Sequence, residues 1–151
     1  MAAPLTTAAL TAVLASLVSA LTALDATDYA DTPGAGWSAS RGLRVGSDLT
    51  DRPLQVSLTL LSGVTGPADG VRLYRHALAL SWAMRLRQGD DVASQAQALA
   101  AVLAVAGAVN SWGDAASGAR ALVSGYELSS IPDAAGWLRV DLSLSLLLPW
   151  R

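Results

Sequence analysis

At 151 residues the chain has the length of one domain, 1–151, and can bury a core without metal or disulfide staples. It has no cysteine, which excludes thiol catalysis, disulfides and thiolate metal sites, and no lysine, which excludes a Walker-type phosphate loop. Its net charge of −2 comes with scattered arginines and no basic stripe, which argues against direct nucleic-acid binding.

Residues 5–24, LTTAALTAVLASLVSALTAL, resemble a signal peptide or anchor only superficially. No basic residue precedes them, and six of the twenty are Ser or Thr. Leu10, Leu14, Leu17, Leu21 and Leu24 step by four and three, leaving Thr11, Ser19 and Thr22 off the stripe. That spacing predicts an amphipathic helix, roughly 30 Å long at about 1.5 Å per residue, suited to lying across a sheet.

Residues 25–37 are rich in Asp, Pro and Gly and predict a turn or exposed loop. Residues 37–46 form a weak strand candidate, interrupted at Gly42, and 47–53 another turn. In 54–61, Leu54, Val56, Leu58 and Leu60 alternate with Gln55, Ser57 and Thr59, the period of a strand with one buried face. Pro67 and Asp69 precede a segment, 69–88, whose Val71, Tyr74 and Leu78 suggest a second helix, with Trp82 and Leu86 extending its apolar surface. Residues 92–109 are Ala-rich and predict a third helix, with Asp90 and Asp91 favouring its N-terminal dipole. A loop is expected over 110–118.

Two strands close the chain, at 119–130 and 137–149. In the second, Leu138, Val140, Leu142, Leu144 and Leu146 face one way and Arg139, Asp141, Ser143 and Ser145 the other. Residues 131–136, IPDAAG, form the turn of the hairpin. The expected architecture is α+β: an antiparallel or mixed sheet with a long N-terminal helix and a central helix pair packed on one face.

The chain is poor in residues that do chemistry. His76 is the only histidine, placed mid-helix beside Arg75 by this reading, and no Gly-x-Ser-x-Gly motif accompanies it. Asp90 and Asp91 are explained as helix capping. Asp25, Asp28 and Asp31 lack the spacing of a calcium loop. No cofactor, metal site or catalytic residue is expected, and the chain reads as a non-enzyme.

Composition points instead to assembly. Charged residues are 15% of the chain, against about 25% in ordinary soluble domains. A monomer this poor in charge exposes apolar patches, which mark interfaces. Of the five tryptophans, Trp82 and Trp137 suit the core, whereas Trp112 and Trp150 lie at loops or ends, where they either fold back over the core or anchor a partner.

The segment 124–150, SGYELSSIPDAAGWLRVDLSLSLLLPW, resembles the closing hairpin of the lambda-type tail terminator proteins of long-tailed phages. A Gly-Tyr-acidic strand, an Asp-containing turn with Gly and Trp, and a final amphipathic strand follow in that order. Residue by residue the resemblance covers Gly125 to Trp150; in layout it extends to the first helix and to the Leu-rich run of LQVSLTLLSG. It implies a virion protein at the tail–neck junction, assembled in the host cytoplasm as a homohexameric ring. Such a ring caps the tail tube, stops its polymerisation, docks the head–tail connector, and leaves a channel for DNA without sequence-specific binding or any membrane. The interface residues expected on this view are Arg41, Arg44, Asp48, Asp51 and Arg52 in loop 38–52, as polar contacts, with Trp112 and Trp150 as apolar anchors. The competing readings are another neck protein (a head–tail adaptor or head-closure protein), a small α+β ligand-binding domain or enzyme built around His76, and a secreted or membrane-attached protein using residues 5–24.

Overall fold

In a computed structural model, which describes residues 6–24, 38–41, 55–63, 73–85, 91–131 and 136–149, the leucine stripe forms helix α1, Thr7–Ala23. Thr6 caps it: its hydroxyl accepts the Ala9 N–H at 3.1 Å, satisfying one of the donors a helix start leaves over. Val13, Leu14, Leu17 and Leu21 are buried, and Thr11, Ser19 and Thr22 are exposed, as the spacing demands. The second helix, α2, runs Asp91–Ser111 and buries Ala98, Ala101, Val102, Val105 and Val109.

Six strands are described: β1 Ser38–Arg41, β2 Gln55–Gly63, β3 Leu73–Arg85, β4 Gly113–Asp114, β5 Ala119–Ser130 and β6 Trp137–Pro149. They form one sheet in the order β1-β2-β3-β6-β5-β4. β1 and β2 are parallel and every other neighbouring pair is antiparallel, so the sheet is mixed. The expected closing hairpin is present as β5 and β6, with Gly136 at φ 81°, a left-handed conformation that suits glycine.

Residues 69–88 do not form the expected second helix. Leu73–Arg85 is strand β3, paired with β6 along its whole length, and the central helix pair reduces to the single helix α2. The period is two: Tyr74, His76, Leu78, Leu80, Trp82 and Met84 face the core. Their alternates are Arg75, Ala77, Ala79, Ser81 and Ala83. Alanine is the best helix former and not polar, so the strand lacked the contrast that reveals alternation. His76 accordingly lies in a strand, not mid-helix.

The expected loop 110–118 is also more ordered than its composition suggests. α2 continues to Ser111, and β4 then pairs with the start of β5. Asp114 organises the turn between them: its carboxylate accepts the Ser117 N–H and hydroxyl, and its carbonyl accepts the Gly118 N–H at 2.7 Å.

Both helices pack on one face of the sheet. There Val56 and Leu58 of β2, Tyr74, Leu78, Leu80, Trp82 and Met84 of β3, every second residue of β6 from Val140 to Leu148, and Ala119 and Ala121 of β5 join the helix residues in one cluster. Each fully buried leucine in it contributes about 1.5–3 kcal/mol, against a net stability of about 5–15 kcal/mol for a domain. The core therefore tolerates few deletions. The opposite face of the sheet carries no described helix. At one end of it Ile131 and Trp137 cover Ala83.

Candidate subunit and partner interface

The helical layer has an unusual surface. The two helices, of 17 and 21 residues, hold one charged residue between them, Asp91. The outward side of α2 is uncharged from Val92 onward and carries an apolar stripe: Val92 is 80% exposed and Leu103 69%, with Ala96 and Gly107 on the same stripe and the polar Gln95 and Asn110 beside it. Large apolar side chains left in water on one stripe mark a contact surface. Among the described residues no helix is long and apolar enough to cross a membrane.

The open face of the sheet is different, made of small residues and a few charges. Ala77, Ala79, Ser143 and Ser145 form a low strip, with Arg75, Arg120 and Leu122 exposed beside it. The Arg139 Nε–H donates to both oxygens of Asp141, at 3.1 and 2.9 Å, and the Ser81 hydroxyl donates to Asp141 Oδ1 at 2.6 Å. Glu127 pairs with Asp141 across β5 and β6. Two like charges directly opposite repel, and the Arg139 guanidinium bound to Asp141 offsets that. Both partners of the Arg139–Asp141 bridge are partly solvated, which limits its contribution to about 1 kcal/mol.

Other apolar groups reach the surface at irregularities in the sheet. β2 has a bulge between Leu60 and Ser62, and both Leu60 and Leu61 are exposed there. β5 has one between Val123 and Gly125. Beyond it Tyr126 stands on the helix side of the sheet, opposite the buried Leu142, yet is 52% exposed because the core does not extend over it.

His76 is buried on the core side, and burial lowers its affinity for a proton below the usual histidine value of 6.5. Its Nε2 has no hydrogen-bond partner among the described residues. A shallow surface hollow of about 340 Å³ lies elsewhere, at the β4–β5 turn, lined by Asp114, Ala115 and Arg120.

Of the residues expected at an interface, Arg41 is the last residue of β1, the outermost strand on its side of the sheet. Arg44, Asp48, Asp51, Arg52 and Trp150 lie outside the described residues, as do Asp25, Asp28 and Asp31. Trp112 is not an exposed anchor. It is 8% exposed and belongs to the main core cluster. Its N–H donates to the Val109 carbonyl at 3.1 Å, so the chain turns back at the end of α2 and lays the indole against the core. Trp82 is fully buried, as expected, and Trp137 is half-buried on the opposite face.

The surface residues Leu60, Leu61, Val92, Leu103, Leu122 and Tyr126 were not picked out from the sequence. One signal for them was present: from Val92 to Ser111 no residue is charged. No family model matches the chain, and no curated protein matches it.

Proposed function

We propose that the chain is a non-enzymatic structural protein that closes into a homo-oligomeric ring, of the kind formed by phage tail terminators. On this reading the ring, a hexamer, sits on the last layer of a tail tube. It stops tube growth and presents its other side to the head–tail connector. The observation that carries the self-assembly is the helical layer with a single charged residue, whose exposed Val92 and Leu103 are costly to leave in water. The tail-terminator identity rests on the resemblance of Gly125–Trp150, a stretch that begins in β5 and runs through β6.

The chemistry of capping fits a protein of this make-up. A terminator needs one surface complementary to the tube, a different surface on its other side, and lateral contacts that close. None of these requires a nucleophile, a metal or a cofactor. The test is to add the purified chain to tail tube protein as it polymerises and to measure tube lengths by electron microscopy. Shortened tubes bearing a ring at one end support the reading. Unchanged lengths with no ring at either end overturn it.

A further inference from the structure

Among the described residues the sheet ends in two unpaired edges. Among the described residues nothing pairs with the outer side of β1, and β4 covers only Ala119 and Arg120 of β5. Asn110 blunts the next stretch, its side-chain oxygen accepting the Val123 N–H at 2.9 Å. From Tyr126 onward no described residue pairs with the β5 edge. An edge of this kind displays main-chain donors and acceptors that another strand can satisfy.

The two edges lie level with each other. Following the pairings across the sheet, Arg41 aligns with Leu58, Leu80, Leu142 and Tyr126. The adjacent row runs Ser40, Ser57, Ser81, Asp141, Glu127. The four residues of β1 therefore stand at the same height as the start of β5 beyond its bulge. The phase agrees as well. Val123 points its N–H outward to Asn110, so alternation along the ladder turns the main chain of Tyr126 and Leu128 outward. Alternation carried across to β1 turns Arg41 and Ala39 outward. The direction agrees too: β1 and β5 are antiparallel within the sheet, so a copy rotated about an axis along the strands brings its β1 antiparallel to β5 of the first.

We infer that β1 of one copy adds to β5 of the next, making one sheet continuous across the subunit boundary. The inference rests on the self-assembly proposed above and assigns its contact. Level edges give no net rise per copy, which is the condition for a closed ring rather than a filament. The addition places the main chain of Arg41 in one copy opposite that of Tyr126 in the next. It also brings the charge-poor helical layers of the two copies together on the same side of the sheet.

The chain has no cysteine, so a designed disulfide reports this contact cleanly. Ser40 and Glu127 share a row in which the new ladder has a non-hydrogen-bonded pair, where side chains are closest and within disulfide reach. The double variant Ser40→Cys, Glu127→Cys is oxidised at a concentration where light scattering gives the mass of the wild-type protein and of the variant. Loss of the monomer band on a non-reducing gel, into covalent oligomers that dithiothreitol dissolves, is expected. Each single variant should stay unlinked. Should that pair fail to fold, Ser38→Cys with Ser129→Cys reads the same face two residues along. An oligomer of normal mass that does not cross-link overturns the edge contact and leaves the ring reading standing. Cross-linking by Glu127→Cys alone overturns it in favour of a two-fold β5–β5 pairing. A wild-type protein that is monomeric at every concentration and does not assemble on tail tubes overturns both.

Discussion

Gly63 and His76 face each other across the β2–β3 ladder so closely that a Cβ on Gly63 would lie 1.9 Å from the imidazole Nδ1. No side chain fits there without displacing the ring, and the ring is held in the core. Gly63→Ala is expected to destabilise the fold by about 1–3 kcal/mol through overpacking. The penalty should shrink in a His76→Ala background, where the obstacle is gone. Urea unfolding of the four proteins of that cycle measures the coupling. Equal penalties in both backgrounds would contradict the contact.

The same histidine makes stability depend on pH. Burial holds its folded-state proton affinity below the ordinary value of 6.5. In the unfolded chain the imidazole takes up a proton as pH falls through about 6.5, and the folded protein resists doing so. Acidification therefore favours unfolding in the window between the unfolded and the folded values and has no further effect from this group below it. The urea midpoint should be flat above about pH 7 and decline as the pH falls through about 6.5. His76→Gln should remove that part of the decline, leaving what the carboxylates contribute.

Leu17 and Leu103 are the same residue type in opposite situations. Leu17 is fully buried between α1 and the sheet, whereas Leu103 stands on the outer side of α2. Leu17→Ala should cost about 2–5 kcal/mol. Leu103→Ala should change the stability of a dissociated chain by no more than about 0.5 kcal/mol. Leu103→Arg should leave the far-ultraviolet circular dichroism unchanged while lowering the mass in solution, because it places a charge in the charge-poor layer. An unaltered mass would show that the outer side of α2 lies outside any subunit contact.

These contrasts show what was readable in the sequence. The α1 stripe and the β5–β6 hairpin were readable because leucine alternates with polar residues at a clear period in each. β3 was not, because three of its five open-face positions are Ala77, Ala79 and Ala83, which give no polar contrast with the core face and favour a helix by intrinsic preference. Trp112 lay in a segment of turn residues, and its burial follows from where α2 ends, which local composition does not fix. The helical surface is marked by missing charge over 92–111, an absence that no motif search registers. The edge match between Arg41 and Tyr126 requires the strand order, and so only a structure can supply it.

Arg44 and Arg52 belong to the loop expected to reach a neighbouring copy or the tube. The double variant Arg44→Glu, Arg52→Glu should weaken ring formation or tube docking by reversing two charges. Mass in solution and sedimentation with tail tubes measure the two effects separately. Unchanged assembly and unchanged docking would remove these arginines from the interface.

The central claim is that the chain assembles with copies of itself into a closed ring. Light scattering on a sizing column, at several protein concentrations and with and without tail tubes, tests it most directly. The account predicts a discrete mass of six chains, either in free solution or on the tubes, that does not grow further with concentration. A monomer at every concentration that ignores tail tubes would contradict it.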